Sequence, residues 1–365
     1  MSLVLSKLDK TYKRFGRPPV RAVCGLDLEV RQGEAVALLG SSGCGKTSTL
    51  RMIAGFESLS GGAITLAGRR IDPLPPARRG VAMAFEGYAL YPPLTVAENI
   101  GFALHTTRAE RRKASERVRA VAEMLDIGAI LHRRPASLSG GQQQRASLAR
   151  ALVRDADLHL LDEPMSQLEP QLRAVLRGRV KAYLGERGFT TVFVTHDQTE
   201  AHALADRIAV MEAGVLEQFG SPDELRDRPK NLFVATFFGE PPMNALVGRV
   251  KEGAMEIEGG DGRRFSIALP AAATAPEGAR LVLGVRPQRI RLGAGALSGT
   301  VLSNQWLGDQ AHVALACGAL RIVAVSLARV AAPSGTALPF AIAPEDMHLF
   351  DPESGTALSH RGSCP

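Results

Sequence analysis

"GSSGCGKTS", residues 40–48, fixes how the rest of the chain is read. It fits the spacing Gly-x-x-x-x-Gly-Lys-Ser/Thr, follows the strand-like "EAVALL" and precedes the helix-like "STLRMIAGF". A strand, a turn and a helix in that order are what a phosphate cradle requires. Gly40, Gly43 and Gly45 allow a turn tight enough for backbone N–H groups to face phosphate oxygens, and the helix that follows adds the positive end of its dipole. Lys46 is expected to reach the β and γ phosphates and the Thr47 hydroxyl to ligate magnesium, with Ser41, Ser42, Cys44 and Ser48 completing the loop. A glycine-rich turn that merely happens to hold the lysine would arise in on the order of a few per cent of chains this long. Cys44 has no base beside it in the loop and reads as a small filler residue.

Two further apolar runs end in polar residues. "ADLHLLDEP", residues 156–164, delivers Asp162, suited to hold magnesium, and Glu163, suited to accept a hydrogen bond from an attacking water. "TTVFVTHDQTEA", residues 190–201, delivers His196; a lone histidine is more often structural, but open α/β sheets bind ligands at the C-terminal ends of their strands. "LSGGQQQR", residues 138–145, places Ser139, Gly140, Gly141 and Gln142 at a helix N-terminus, a second anion site. One nucleotide does not need two cradles so far apart in one polypeptide, so the second is expected to serve another subunit's nucleotide.

The bulk numbers agree with a two-part soluble chain. At 365 residues it exceeds the length at which one hydrophobic core usually stops growing. Up to about residue 238 short apolar runs ("EAVALLG", "ADLHLLD", "TTVFVTH", "RIAVMEAG") alternate with helical patterns, which suggests buried parallel strands. After "FFGEPPMN", 237–244, short β-like runs ("LVGRV", "RRFSIAL", "ARLVLGV", "AHVALA", "LRIVAVS") predict a small all-β unit. Within it "RPQRIRL", 286–292, and "APEDMHL", 343–349, share Pro-x-x-apolar-x-Leu and suggest two similar strands. No uncharged apolar stretch reaches about 18 residues, and the N-terminus holds only a short apolar patch, so neither a membrane span nor an export signal is expected. Cys24, Cys44, Cys317 and Cys364 are widely spaced, which fits a reducing, cytoplasmic compartment better than a disulfide framework or a zinc site. The net charge of +7 would suit nucleic acid, an anionic membrane or polyphosphate. In "TTRAERRKASERVRA", 106–120, with Leu125 beyond it, Val118, Val121 and Leu125 recur at helical spacing, so these arginines read as the wet face of an amphipathic helix.

Taken together these motifs resemble the ATPase subunit of a bacterial ATP-binding-cassette importer of the carbohydrate-uptake type, which includes maltose and glycerol-phosphate systems. Walker A (40–48), the signature (138–142), Walker B (158–163) and the histidine switch at His196 appear in that family's order, and "ALYPPLTVAENI", "PPMN", "GVRPQRI" and "MHLFDPESG" extend the likeness over nearly the whole chain. The resemblance implies an α/β P-loop NTPase cassette, a RecA-like core with a helical subdomain over about 87–154, spanning 1–238. A small all-β, OB-like domain of TOBE type would follow over 239–365. It implies ATP and Mg2+ as cofactors, and two ATPase subunits facing head to tail. Two permease subunits would dock near Tyr88, Tyr91 and Leu94, a solute-binding protein would join the complex, nucleic acid would not be a partner, and the chain would be peripheral on the cytoplasmic face of the cell membrane. Tyr12 in "KTYKRFG" matches the aromatic that stacks on adenine, with Phe15 as competitor.

Two positions depart from the pattern. In "VAMAFEGYALYPPLTV", 81–96, the family's usual glutamine is Glu86, expected to touch both ATP and the metal. A carboxylate keeps an oxygen ligand for a hard cation, loses the NH2 donor and adds negative charge near the γ-phosphate. In "EPMSQLEP", 163–170, the usual aspartate of the D-loop is Glu169. Two readings compete with an active, homodimeric importer ATPase. One is a weakly hydrolysing, regulatory subunit of a heteromeric importer; the other is a soluble cassette acting on nucleic acid or ribosomes, which the single Walker A and importer-like tail disfavour.

Overall fold

The computed structural model of the chain describes residues 2–104, 111–258, 264–270 and 275–360; Cys364 and residues 106–110 of the arginine-rich stretch lie outside them. The chain divides into two compact units, 1–222 and 223–365.

The first unit opens with β1 (Leu3–Arg14) and β2 (Arg17–Val30), followed by β3 (Ala35–Gly40), α1 (Lys46–Ala54), β4 (Gly61–Leu66), β5 (Arg69–Arg70) and β6 (Val81–Ala84). Three helices come next, α2 (Val96–Gly101), α3 (Arg111–Met124) and α4 (Gly140–Leu152), and then β7 (Leu158–Asp162), α5 (Pro170–Arg187), β8 (Thr191–Val194), α6 (Gln198–Leu204), β9 (Arg207–Glu212) and β10 (Val215–Gly220). Six of the strands form one sheet in the order β10-β9-β3-β8-β7-β6, parallel except for β10. Every residue of β3, β7 and β8 is buried, as strands covered on both faces must be, which is why they read as unbroken apolar runs. The parallel arrangement has one decisive consequence: the C-terminal ends of β3, β8, β7 and β6 lie side by side along one edge, and the residues that follow them are the phosphate loop, His196, Glu163 and Glu86.

A second, antiparallel sheet in the order β2-β1-β4-β5 shares the core with the first; Leu3, Leu5, Leu26 and Ile64 from one pack with Leu38, Leu160 and Val194 from the other. In α3 the apolar face is Val118 and Val121, with Leu125 just beyond the last turn, all buried; Arg112 and Arg119 are exposed, whereas Arg117 is part-buried and donates to Asp155 and the Val153 carbonyl.

The second unit contains α7 (Pro222–Asp227) and α8 (Leu232–Phe237), then β11 (Asn244–Lys251), β12 (Ala254–Glu258), β13 (Arg264–Ala268), β14 (Arg280–Val285), β15 (Ile290–Trp306), β16 (Ala311–Cys317), β17 (Leu320–Ser326), β18 (Ala337–Ile342), β19 (Met347–Phe350) and β20 (Ala357–Ser359). The strands make two antiparallel sheets, β13-β12-β11-β14-β19-β20 and β17-β16-β15-β18, around a core that includes Leu283, Val313, Leu315 and Phe340. The two Pro-x-x-apolar-x-Leu segments are alike in structure: each is a short 3-10 turn with proline at its start (Pro287–Arg289, Pro344–Asp346) that runs directly into a strand. The unit begins earlier than the boundary expected after residue 238. The reason is Arg286, whose buried guanidinium donates to the carbonyls of Arg226, Ala235 and Phe238 and so ties α7 and α8 to the β-strands.

Candidate active site

A cleft of roughly 430 Å3 at the C-terminal edge of the first unit's parallel sheet is lined by Ser42, Gly43, Gly45, Lys46, Thr47, Ser48, Glu163 and His196. Residues from three separate sequence motifs therefore meet at one place because three neighbouring parallel strands end there.

The loop before α1 has its shape from two glycines with no room for a side chain. A Cβ on Gly40 would stand 2.1 Å from the Met211 carbonyl oxygen, and one on Gly45, at φ +106°, would stand 2.2 Å from that of Ala22. Lys46 is buried, and its ammonium donates to the carbonyls of Gly40 and Ser41, both at 2.8 Å. Gly40, Ser41 and Cys44 do not line the cleft: the Ser41 hydroxyl donates to Glu212, and Cys44 is buried in the core, where burial raises its thiol pKa. Tyr12 stands beside the cleft through a 3.2 Å hydrogen bond between its hydroxyl and Ser48, whereas its competitor Phe15 is fully exposed.

Glu163 is held with φ +47°, a left-handed conformation that costs a residue with a side chain on the order of 1–2 kcal/mol. Its backbone is fixed on both sides: its N–H donates to Val194 and its carbonyl accepts from Gln144 Nε2 at 2.8 Å and from Ser166 Oγ at 3.2 Å. Its carboxylate Oε1 lies 3.2 Å from His196 Nδ1. Asp162, one residue earlier, is buried, and its Oδ1 has no hydrogen-bond partner. Burial first, then the charges of Glu86 and Glu163, push its pKa up to about 6, with Arg51 acting the other way. A buried, orphaned carboxylate oxygen with two further carboxylates acting on it fits a hard divalent cation. Among the described residues no three His, Cys, Asp or Glu gather to hold a metal on their own; Thr47 lines the cleft, whereas Asp162 and the exposed Glu86 do not.

Ser139, Gly140, Gly141 and Gln142 do not line this cleft. They form the start of α4, closed by a capping box in which Gln142 accepts from the Ser139 N–H at 3.0 Å and donates to its hydroxyl at 3.4 Å. Gln144, which the motif reading passed over, is buried and links α4 to the turn after β7, donating to Glu163 and Ser166 and accepting from the Gln167 N–H. The sign that points to it is an amide at i, i+4, i+7 spacing with the buried Leu148 and Ala151, on one face of the helix.

A second depression, of roughly 470 Å3, lies beside β6 and is lined by Phe56, Met83, Phe85, Tyr91, Phe102 and Arg150 among others. The Tyr91 and Phe102 rings lie 4.5 Å apart, tilted by 40°, and Phe56 and Phe102 are more than half exposed. Of Tyr88, Tyr91 and Leu94, Tyr91 alone lines it.

Residues 23–166 match the family model described as ABC transporter, and residues 283–350 match the TOBE domain. The chain is 40% identical to the sn-glycerol-3-phosphate import ATP-binding protein UgpC 1 of Rhizobium johnstonii, over 95% of this chain and 94% of that protein. It is 39% identical to the sulfoquinovosyl glycerol transport ATP-binding protein SmoE of Agrobacterium fabrum, over 96% and 97% respectively. Among solved structures the dimeric bacterial ABC transporter cassette MJ0796 superposes with a TM-score of 0.56 at 27% identity, covering 60% of this chain and 98% of that one. A post-hydrolysis state of the same cassette, bound to ADP and Pi, gives 0.55 at the same identity.

Proposed function

The chain belongs to the family of ABC transporter ATPases, and from that membership we propose that it powers import of a small polyol, sugar or glycerol-phosphate-like solute. The observation that carries the mechanism is the convergence of Lys46, Thr47, Glu163 and His196 on one cleft while the Ser139–Gln142 helix start stays outside it. Such a division suits a pair of chains facing head to tail, each supplying the anion site that closes on the other's ATP. Tyr12 stacks on adenine. Lys46 leaves its own loop's carbonyls for the β and γ phosphates, the loop's N–H groups cradle them, and His196 steadies the γ-phosphate. Glu163 accepts the proton of the attacking water. Thr47, Asp162 and Glu86 would hold magnesium, which would supply positive charge against that developing on the phosphate oxygens.

Glu86 places a second negative charge near Asp162, adding to the burial that raises that acid's pKa. The pair suits a cation better than either acid alone, which favours a working metal ligand over a disabled one. The exposed aromatic groove around Tyr91 and Phe102 is where a helix of a permease subunit docks, on the cytoplasmic face of the membrane; no helix among the described residues is itself long and apolar enough to cross one. Residues 1–222 act as the cassette and 223–365, whose strands begin at Asn244, as the regulatory unit.

The test is magnesium-dependent ATP hydrolysis by the complex assembled with its membrane partners, comparing native protein, Glu86→Gln and the blank Glu163→Gln. Native activity well above the blank and little changed by Glu86→Gln supports the reading. Native activity equal to the blank, with Glu86→Gln restoring it, would replace it with a braked, regulatory subunit.

A further inference from the structure

The turn after β7 and the loop after β8 touch at Glu163 and His196, and they are joined a second time, away from the cleft, by a residue of α5. Arg173 Nη1 donates to Asp197 Oδ2 at 3.1 Å, while Nη2 donates to the carbonyls of Leu168 at 3.0 Å and Ser166 at 3.3 Å. One guanidinium thus grips the turn that leads out of Glu163 and the residue that follows His196. Each end of the grip continues towards the chemistry. Ser166 donates to the Glu163 carbonyl and accepts from Gln144 at 3.0 Å. Asp197 Oδ1 caps α6 by accepting from the Glu200 N–H at 3.0 Å, and the Asp197 N–H donates to Thr195 Oγ1, also at 3.0 Å. Both chain neighbours of His196 are therefore tied in place.

The sequence departure at the D-loop explains why an arginine is needed here. Glu169 is the N-cap of α5 but makes no side-chain cap bond, and Pro170 at the first helical position has no N–H. The turn before the helix is fastened instead from inside the helix, by a side chain reaching back. Only a rigid fork satisfies two carbonyls and a carboxylate at once; a lysine presents the same charge as a point. The contact is also partly shielded, with Arg173 and Asp197 each about a quarter exposed, so it is screened less than a surface pair.

We propose that Arg173 is a positioning residue that makes the Ser166–Leu168 turn and the His196 loop move as one body, so that the turn's position sets the reach of His196 to the γ-phosphate. The inference rests on the reading of His196 given above. His196→Ala tests that reading alone: native hydrolysis lost in His196→Ala upholds it whatever Arg173 does.

The experiment measures steady-state MgATP hydrolysis by the complex assembled with its membrane partners for Arg173→Lys, Asp197→Asn and the double variant, with thermal melting of each. Asparagine keeps the helix cap while removing the charge that Arg173 grips. The expected result is a fall of about tenfold in kcat for each single variant, an ATP KM within about twofold of native, and a double variant no worse than the poorer single. A kcat within about twofold of native in folded Arg173→Lys, or losses that multiply in the double variant, would overturn the proposal. Loss of folded protein in both single variants would overturn it too, by making the contact purely structural.

Discussion

Nδ1 of His196 lies 3.2 Å from Oε1 of Glu163, so the loop after one parallel strand meets the turn after its neighbour through a single side-chain contact at the mouth of the cleft. The contact brings together the two groups assigned to the γ-phosphate and to the attacking water. Glu163→Gln keeps the shape of the side chain and removes the proton acceptor. It should lower kcat by roughly a hundredfold or more while leaving ATP binding intact. Single-turnover hydrolysis together with fluorescent-nucleotide titration checks this, and a variant that retains a tenth of native kcat would remove Glu163 from the role of base.

The glycines of the phosphate loop should not be equally replaceable. A Cβ on Gly45 meets the Ala22 carbonyl at 2.2 Å, where backbone would have to move, whereas one on Gly43 meets nothing within 4 Å although φ is +80°. Gly43→Ala is therefore expected to cost about 1–2 kcal/mol of backbone strain and still to bind ATP. Gly45→Ala should lose ATP binding and melt well below it. Equal melting temperatures for the two would contradict the steric account.

How much of this was legible in the sequence follows from the geometry of parallel strands. Runs such as "ADLHLLDEP" announce themselves because both faces are buried, and their polar ends fall on one edge of the sheet without any further information. The antiparallel sheet of β1, β2, β4 and β5 did not, since β1 pairs with β2 through several register shifts that break the two-residue alternation. Arg173 and Gln144 were hidden for another reason: a polar side chain on a helix reads as solvated, and only the fold brings carbonyls to within about 3 Å of it. The same holds for Arg286, which moves the start of the second unit ahead of the composition change near residue 238.

Glu200 supplies a pH dependence whose sign is fixed. Burial first, opposed by the Thr195 hydroxyl and helped by Asp197, raises its pKa from 4.5 to about 7, with Arg173 and Arg177 pulling the other way. The folded state therefore binds a proton more tightly than the unfolded chain. This contribution is fully present below pH 4.5 and is lost as pH rises to about 7, a swing on the order of 3 kcal/mol. Glu200→Gln retains an acceptor for Thr195 and has nothing to ionise. Melting of native protein and variant across pH 5 to 8 should show the variant gaining on the native chain as pH rises. Parallel curves would mean that Glu200 does not titrate in this range.

Arg286 offers the corresponding test in the second unit. Burial lowers its pKa to about 10, opposed by Asp227, so it stays charged at neutral pH inside the fold. Its two Nη groups donate to three carbonyls, Arg226, Ala235 and Phe238, in or next to the C-terminal ends of α7 and α8, where a helix supplies no donor of its own. Lysine in its place keeps the charge but not the fork, and leaves at least one carbonyl without a donor in a buried setting. Arg286→Lys should therefore destabilise the second unit by about 1–3 kcal/mol. Hydrogen exchange separates this from a general loss of stability: amides of α7 and α8 should lose protection while those of the parallel sheet in the first unit do not. Uniform loss of protection across the chain, or none, would show that Arg286 does not act as the fastening of these two helices.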